Sequence, residues 1–210
     1  MPLIVLEGID GCGKTTQVER LGQRLAQSGR AWRRLREPGG TALGEVQRGL
    51  LLDPATHACP TAELFGYLQA RAQLCHEVIA PALAAGEVVL LDRFYHSTLA
   101  YQAYGLGLDP APVRAAIRLA TGGIVPDVVA WLAVDPDEAL RRRAASRGRD
   151  DRIEARGPAY LRRVHDGFAA MAAAGELVRI DAAQAADAVA GAVWAAVGPV
   201  VGPVVGPIVG

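Results

Sequence analysis

A glycine-rich segment near the start of the chain contains residue types that bind phosphate. Residues 8–15 read GIDGCGKT and fit the pattern G-x-x-x-x-G-K-[ST]. Glycines here let backbone N–H groups turn toward phosphate oxygens, and a helix that begins at the loop adds the positive end of its dipole. The pattern predicts a P-loop that binds a nucleotide. Its predicted nucleotide-binding residues are Gly8, Ile9, Asp10, Gly11, Cys12, Gly13, Lys14, Thr15 and Thr16.

Lys14 is the only lysine among the 22 basic residues of the chain. Its ammonium group is a compact charge on a flexible stem, whereas arginine has a wide planar head. We expect Lys14 to reach the β- and γ-phosphates of the nucleotide, in a cradle that arginine would not fit. Thr15 is expected to offer its hydroxyl to Mg²⁺. Cys12 is predicted to be a small loop residue and not a nucleophile.

Short apolar runs alternate with longer helical patterns, and these elements must position the loop. The apolar runs lie at residues 2–7, 31–37, 87–93, 125–134 and 176–181, and the longest helical pattern spans residues 61–86. This alternation predicts an α/β fold, a parallel sheet with helices on both faces. Polar motifs at residues 8–15, 36–41 and 92–102 begin near strand ends. Because ligands bind at the carboxyl ends of such strands, the three motifs are expected to share one cleft.

Composition excludes several other classes of function. The chain has 210 residues, a formal net charge of +0 and 51% hydrophobic residues, which suits one globular domain. The balanced charge argues against binding to nucleic acid or to an anionic membrane surface. No signal peptide and no apolar run of membrane-spanning length is found in the sequence. Three scattered cysteines suit a reducing cytoplasm.

A P-loop occurs in GTPase switches, in motor ATPases and in small-molecule kinases, and several features favour a kinase. The sequence lacks the N-K-x-D motif that reads guanine, and its third apolar run ends in LLDR and not in paired acids. Four arginines are expected beside the cleft, where they could hold a second phosphorylated molecule. They are Arg36, Arg48, Arg71 and Arg93.

Residues 141–157 form an arginine-rich segment, RRRAASRGRDDRIEARG. It could be a solvated basic face. In a kinase it is better interpreted as a mobile lid whose arginines stabilise charge on the transferred phosphoryl group. The end of the chain differs from the rest, because GPVVGPVVGPIVG repeats a Gly-Pro unit with a period of four residues. We predict a single domain over residues 1–197 and an extended or disordered tail over residues 198–210.

Six segments of the chain resemble those of bacterial thymidylate kinases and occur in the same order. They are EGIDGCGKTT, REPGGT, ELFGYLQARAQ, DRFYHSTLAYQ, PDVVAWLAV and DRIE. The resemblance covers the chain from about Leu3 to the last helix. It implies the P-loop NTPase fold of the nucleoside-monophosphate kinases, with a five-stranded parallel sheet, and usually a homodimer. It also implies transfer of the γ-phosphoryl group of ATP to dTMP, with Mg²⁺, in deoxynucleotide synthesis.

The resemblance also implies residue roles around the acceptor's phosphate and sugar. Asp10 is similar to the carboxylate near the 3′-hydroxyl, and Arg93 and Arg48 resemble the arginines that hold the dTMP phosphate. Asp92 corresponds to a residue that helps to hold Mg²⁺ through water, and the ring of Tyr101 crowds the 2′ position.

Other residues of the resemblance surround the nucleoside. Arg71 resembles the residue that hydrogen-bonds a thymine carbonyl, and Tyr67 stands where the family stacks an aromatic ring, usually Phe, on the base. Thr98 and Gln102 correspond to contacts with the thymine edge. The complete substrate set is Asp10, Arg36, Glu37, Pro38, Arg48, Tyr67, Arg71, Arg93, Ser97, Thr98, Tyr101 and Gln102.

The family places its catalytic cation either in the P-loop or in the lid. The variable P-loop positions, residues 9–12, contain no basic residue, so the chain resembles the design in which the lid supplies an arginine. The predicted catalytic residues are Asp10, Lys14, Arg93, Arg147 and Arg149. The alternatives are a kinase for another nucleoside monophosphate or a P-loop protein that binds nucleotide without transferring phosphate. The combination of Tyr67, Arg71 and Tyr101 argues against the first of these.

Overall fold

Five parallel strands form the centre of the fold. The computed structural model of the chain describes residues 1–145 and 152–202. The strands are β1 (Leu3–Glu7), β2 (Trp32–Arg36), β3 (Val88–Asp92), β4 (Val128–Ala133) and β5 (Val178–Asp181). They lie in the order β2-β3-β1-β4-β5, and each neighbouring pair is parallel. The predicted five-stranded parallel sheet is confirmed.

The inner strands are buried on both faces because their sequences are almost continuously apolar. Every residue of β1 and of β4 is buried, and four of the five residues of β3 are buried. This is the pattern expected where helices cover both sides of a parallel sheet. The edge strand β2 differs, since it carries exposed arginines between its half-buried Trp32 and Leu35. Charged side chains on an edge strand discourage pairing with another chain.

Helices connect the strands and cover the sheet. They are α1 (Lys14–Gln27), α2 (Ala42–Leu52), α3 (Pro60–Leu74), α4 (Ala80–Ala84), α5 (Tyr95–Thr98), α6 (Pro110–Thr121), α7 (Pro136–Ala145), α8 (Pro158–Ala173) and α9 (Ala186–Val201). A short 3₁₀ turn, Glu154–Arg156, precedes α8. Within the described ranges no helix combines the length and the apolar character needed to cross a membrane.

Two π turns interrupt the helical segments near the cleft. The helix predicted over residues 61–86 consists of α3, a π turn at Cys75–Ile79 and α4. Pro81 has no N–H to donate to the preceding turn, so the helical hydrogen-bond pattern changes there. A second π turn, Leu99–Gly105, continues from α5. It carries two of the predicted substrate residues, Tyr101 and Gln102.

The last helix extends further than the sequence suggested. An extended tail was expected from residue 198, but α9 includes Pro199 and ends at Val201, so the prediction is wrong for residues 198–201. The buried side chains of Val197 and Val201 continue the apolar face of the helix into the core. Proline near a helix end removes only one hydrogen bond, and this packing outweighs it. The rest of the predicted tail, residues 203–210, lies outside the described residues.

Candidate active site

A cavity of about 1050 Å³ opens where strands β1, β2 and β3 end. From β1 the chain continues toward β2 on one side of the sheet, whereas from the neighbouring strand β4 it continues to β5 on the other side, and ligands bind where connections diverge in this way. All three predicted motifs contribute to the cavity, which confirms that they share one cleft. The predicted site residues that line it are Asp10, Gly11, Gly13, Lys14, Thr15, Thr16, Arg36, Glu37, Pro38, Arg48, Tyr67, Arg71, Asp92, Arg93, Ser97, Thr98, Tyr101 and Gln102.

The remaining predicted residues lie elsewhere. Gly8, Ile9 and Cys12 belong to the loop but are buried beneath its surface and do not line the cavity. Arg147 and Arg149 lie outside the described residues. The roles assigned to all these residues by resemblance stay predictions, since shared position is not a test of function.

Glycine is required in the P-loop by its close packing. Gly11 has a φ of 86°, and a Cβ atom there would lie 2.2 Å from the backbone oxygen of Ala139 on α7. Gly13 has a φ of 91° and precedes the first residue of α1. Both conformations are in the left-handed region, which glycine adopts without steric cost. The loop therefore turns tightly enough to present the first N–H groups of α1 to the cleft.

The ammonium group of Lys14 is held inside the loop. Its Nζ donates hydrogen bonds to the carbonyl oxygens of Gly8 (2.8 Å) and Ile9 (3.1 Å) and lies 3.7 Å from Oδ1 of Asp10. Thr15, the next residue of α1, is exposed at the cleft. The loop thus provides a localised positive charge beside N–H groups and a hydroxyl, an arrangement suited to a polyphosphate.

Arg93 connects the end of β3 to the P-loop. Its φ of 67° is the only positive value of a non-glycine residue in the described chain. Its guanidinium group donates to the carbonyl oxygen of Gly8 (2.8 Å), to Oγ of Ser97 (3.1 Å) and to Oδ1 of Asp10 (2.6 Å). Burial would raise the pKa of Asp10, but the charges of Arg93 and Lys14 outweigh it and hold the pKa below its usual range. Asp10 is therefore an ionised carboxylate at neutral pH.

Glu7 is a structural part of the site that the sequence analysis missed. This fully buried carboxylate, the last residue of β1, accepts hydrogen bonds from the backbone N–H of Phe94 (2.8 Å) and from the N–H and hydroxyl of Ser97 (3.1 and 2.6 Å). Burial raises the pKa of Glu7, although Arg93 and these hydrogen bonds oppose it. Glu7 thereby fixes the start of α5 against the P-loop. The sequence feature that could have identified Glu7 is a charged residue at the end of an otherwise apolar strand.

The far side of the cleft is built around Arg71. Its guanidinium donates to the carboxylate of Glu37 (2.8 Å from Nε to Oε2), to Oγ1 of Thr98 (2.7 Å from Nη1) and to the carbonyl oxygen of Phe94 (3.3 Å from Nη2). Burial raises the pKa of Glu37, against the opposing charge of Arg71. The Glu37–Pro38 peptide bond is cis. The carbonyl oxygen of Pro38 accepts a hydrogen bond from Arg48 (2.9 Å).

Tyr101 places a buried ring between these two halves. The guanidinium carbon of Arg93 lies 5.3 Å from the centre of the ring. The phenol hydroxyl is buried and forms no hydrogen bond with any described residue. Burial raises the pKa of Tyr101 well above its ordinary value, so the phenol is neutral. A neutral ring in this position limits space in the cleft without adding charge.

Two oxygen groups of the cleft fit Mg²⁺. Oδ1 of Asp92 is buried and has no hydrogen-bond partner among the described residues, and Thr15 offers a hydroxyl nearby in the same cavity. In the part of the chain that is described, no group of three His, Cys, Asp or Glu side chains could hold a metal by itself. This donor set suits Mg²⁺, which keeps several waters and binds one or two protein oxygens together with substrate phosphates.

Further residues of the cleft were not predicted from the sequence. They are Arg34, Leu35, Gly40, Leu52, Phe94, Arg142, Arg143 and Ile153. Arg142 and Arg143 lie on α7, at the start of the predicted arginine-rich segment. The sequence analysis assigned no individual role to either residue. Arg142 donates to Glu138 (2.7 Å) and to the carbonyl oxygen of Ala182 (2.9 Å). These contacts fix part of the basic surface of α7 at the edge of the cleft.

Comparison with known proteins places this cleft in context. A sequence model of a family described as thymidylate kinase matches residues 6–193, a range that includes every residue lining the cleft. A thymidylate kinase of Gloeobacter violaceus is 52% identical over 170 residues, which cover 80% of each chain. One from Synechococcus sp. (strain WH7803) is 50% identical over 187 residues, 86% of this chain and 87% of that protein. One from Synechococcus sp. (strain CC9605) is 47% identical over 193 residues, covering 89% and 91%.

Proposed function

The chain belongs to the thymidylate kinase family. We propose which residues of its cleft bind each substrate of the family's reaction. The reaction is the ATP-dependent phosphorylation of dTMP to dTDP, a step of deoxynucleotide synthesis. One observation carries the proposal: a single cleft contains the P-loop with Lys14 and also the arginines Arg48 and Arg93, which is enough cationic character for two phosphorylated molecules. The first suits the donor nucleotide and the second suits the acceptor.

Lys14 and the N–H groups of the P-loop bind the β- and γ-phosphates of ATP. Charge on the transferred phosphoryl group is spread over its oxygens in the transition state, so a fixed ammonium group lowers the barrier. Thr15 and Asp92 help to hold Mg²⁺, which when bound neutralises charge on the β- and γ-phosphates. The unpartnered Oδ1 of Asp92 supports this assignment.

Arg93 and Arg48 orient the acceptor phosphate for in-line attack. The phosphate oxygen of dTMP is already ionised, so positioning matters more than proton removal. The rigid contacts of Arg93 with Asp10 and with the P-loop support its role in alignment. Asp10 contacts the region of the 3′-hydroxyl, and Arg36, which donates to Glu45 (3.3 Å), braces the nucleoside pocket.

The nucleoside occupies the side of the cleft built around Arg71. Arg71 donates to a thymine carbonyl, Thr98 and Gln102 contact the edge of the base, and Tyr67 stacks on its face. The buried ring of Tyr101 lies beside the 2′ position and favours deoxyribose. These roles are supported by the presence of all five side chains in one cavity.

The part of the arginine-rich segment beyond α7 supplies a further cation to the transferred phosphoryl group. The sequence supports this role, because residues 9–12 of the P-loop contain no basic residue. We assign the role to Arg147 or Arg149. Arginine suits it because its planar head can bridge two phosphate oxygens.

The protein acts as a cytoplasmic homodimer without nucleic-acid or membrane partners. Its free cysteines Cys12, Cys59 and Cys75 are consistent with a reducing compartment. The dimer is supported by an exposed apolar surface on α2 and α3, made of Leu43, Val46, Leu50 and Phe65.

A steady-state assay with ATP and a panel of monophosphates tests the proposed substrates. The panel contains dTMP, dUMP, dCMP, UMP and AMP, and formation of ADP is measured for each. The highest kcat/KM is expected with dTMP. A higher value for UMP or AMP would favour another nucleoside-monophosphate kinase, and ATP binding without ADP formation on any acceptor would favour a non-catalytic P-loop protein.

A further inference from the structure

A buried carboxylate outside the cleft contacts the residue predicted to read the base. Glu63 belongs to the first turn of α3 and is fully buried. Its Oε1 accepts a hydrogen bond from Nε2 of Gln102 at 3.0 Å. Gln102 is itself buried and lines the cleft, whereas Glu63 does not line it. Among the described contacts of Glu63, the hydrogen bond with Gln102 is the one that reaches a residue predicted to touch the base.

Two arginines keep this carboxylate charged. Arg156 donates from Nη1 to Oε1 of Glu63 (3.1 Å) and from Nη2 to Oε2, and Nη2 of Arg152 lies 2.7 Å from Oε2. Burial alone would raise the pKa of Glu63, but the hydrogen bonds from Arg156 and Gln102, with the charges of both arginines, lower it. Glu63 is ionised at neutral pH and can only accept hydrogen bonds.

An acceptor-only neighbour fixes the orientation of the Gln102 amide. The two ends of an amide differ, since the nitrogen donates and the oxygen accepts. The nitrogen must face Glu63, because the amide oxygen would repel the carboxylate. No described residue donates a hydrogen bond to Oε1 of Gln102, so this oxygen remains available as an acceptor in the cleft.

A fixed acceptor in the cleft distinguishes pyrimidine bases by the hydrogen at ring position 3. Thymine and uracil carry an N–H donor there, which an amide oxygen accepts. Cytosine has a bare acceptor nitrogen at the same position, and two acceptors facing each other in a buried site leave both unsatisfied. The orientation of one amide can therefore select thymine over cytosine without contributing to the choice between thymine and uracil.

We propose that Glu63 is a positioning residue that sets base selectivity by holding the amide of Gln102 with its oxygen toward the base. This inference rests on the proposed function, in which Gln102 contacts the base edge. The carboxylate also joins the segment of Arg152 and Arg156 to the same amide. Base recognition thus depends on a residue that touches neither substrate.

The test compares kcat/KM for dTMP, dCMP and dUMP in the full-length enzyme and in Glu63→Gln. The neutral amide of the variant can accept from or donate to Gln102, so the orientation of Gln102 is no longer fixed. We expect the ratio of dTMP to dCMP to fall by about tenfold or more, the scale of one misplaced buried hydrogen bond. The ratio of dTMP to dUMP should not change, because both bases carry the same N–H.

Two further variants separate positioning from a general structural effect. Arg152→Met removes a cation but leaves the bond between Glu63 and Gln102, so its dTMP to dCMP ratio should equal that of the parent. Gln102→Met removes the amide, so this variant alone should have a lower dTMP to dCMP ratio than the parent. In the Gln102→Met background Glu63→Gln should narrow the ratio no further, since the two changes act through one contact.

Each outcome of these comparisons has one meaning. A fall in the ratio that persists undiminished in the Gln102→Met background would show that Glu63 acts by another route and would overturn the proposal. A normal ratio in Glu63→Gln, with a narrowed ratio in Gln102→Met, would overturn it while leaving the base contact of Gln102 intact. A normal ratio in Gln102→Met would overturn both that contact and the proposal. Failure of the parent to phosphorylate dTMP would instead refute the proposed function.

A second pair of variants allows the test even if Glu63→Gln alone does not fold. Glu63→Gln leaves the partly buried Arg152 and Arg156 without their carboxylate, so the melting temperature is measured first. If the single variant does not fold, the comparison is made between Arg152→Met and the double variant Arg152→Met/Glu63→Gln. In the double variant only Arg156 is left without its carboxylate. Its dTMP to dCMP ratio should be about tenfold or more below that of Arg152→Met. An equal ratio in these two proteins would refute the proposal.

Discussion

At the scale of single residues, Arg93 combines an unusual backbone conformation with two side-chain hydrogen bonds to the P-loop. A left-handed conformation at a non-glycine residue costs about 1–3 kcal/mol and persists only where surrounding contacts impose it. Here the backbone N–H of Arg93 donates to Leu6 (3.0 Å) while the side chain binds Gly8, Ser97 and Asp10. The conformation directs the guanidinium group back across the end of β1.

Arg93→Ala should lower kcat/KM for dTMP by about 100-fold or more, because a misaligned acceptor loses the contribution of proximity. The KM for ATP should change much less. Arg33→Ala is the control, since Arg33 forms an exposed ion pair with Glu87 (2.8 Å) at the edge of the sheet, and such pairs contribute about 0–1 kcal/mol. Loss of ATP binding with unchanged acceptor kinetics in Arg93→Ala would contradict the assigned role.

Tyr101 offers a test of sugar selectivity at one position. Its ring is buried beside Arg93, and its hydroxyl has no partner among the described residues. Tyr101→Leu should narrow the ratio of kcat/KM for dTMP to that for its ribo analogue, because a smaller side chain leaves room for a 2′-hydroxyl. Tyr101→Phe keeps the ring and should keep the ratio. Equal ratios in both variants and in the parent would exclude steric selection by this ring.

At the scale of elements, the sequence predicted those features whose cause is local. The strands β1, β3 and β4 are apolar runs, and the P-loop follows β1 as a fixed pattern of residue types, so each was recognisable without knowledge of the fold. Glu7 and Glu63 were not recognisable as site residues. Their partners lie far along the chain, as for the 93 positions between Glu63 and Arg156, and only the folded chain brings them together.

The C-terminal end of α9 was also not predictable from local sequence. A Gly-Pro repeat predicts the end of a helix, yet Val197 and Val201 find places in the core and extend the helix past Pro199. Val201→Asp should therefore lower stability by more than about 2 kcal/mol, since it buries an unpaired charge. Ala195→Asp, on the exposed side of the same helix, should have a much smaller effect.

Deletion of residues 203–210 completes this test by thermal melting. The backbone N–H of Gly202 donates to the carbonyl oxygen of Gly198 (2.9 Å) and closes the helix, so the deletion should leave the Tm and activity nearly unchanged. A Tm for Val201→Asp equal to that of the parent would show that the end of α9 does not stabilise the fold.

The arginine-rich segment after α7 is tested as an element. With no basic residue at positions 9–12, the transferred phosphoryl group needs a further source of positive charge besides Lys14 and Mg²⁺. We expect Arg147→Ala or Arg149→Ala to lower kcat by about 100-fold or more, by analogy with arginine fingers, with a smaller change in KM. The other variant should behave like loss of a surface charge. Full kcat in the double variant would reduce the segment to a solvated basic surface.

At the scale of the whole molecule, the proposed dimer would place the exposed apolar surface on α2 and α3 in an interface next to the acceptor site. Leu43, Val46 and Leu50 recur at helical spacing on α2, and 62% of Val46 is exposed. The same two helices carry Arg48, which is proposed to hold the acceptor phosphate, and Tyr67, which is proposed to stack on the base. A second copy that covers this surface would therefore restrain the helices of the acceptor site.

Val46→Glu should convert the proposed dimer into a monomer, since a buried interface does not tolerate an unpaired charge. Sedimentation equilibrium measures the mass. Val178→Glu is the control, because Val178 is exposed on β5 at the opposite edge of the sheet from β2. The monomer should show a raised KM for dTMP and a nearly unchanged KM for ATP, because the P-loop connects β1 to α1, away from α2 and α3. A parent of monomeric mass would refute the proposed dimer, and a Val46→Glu variant of dimeric mass would show that the interface lies elsewhere.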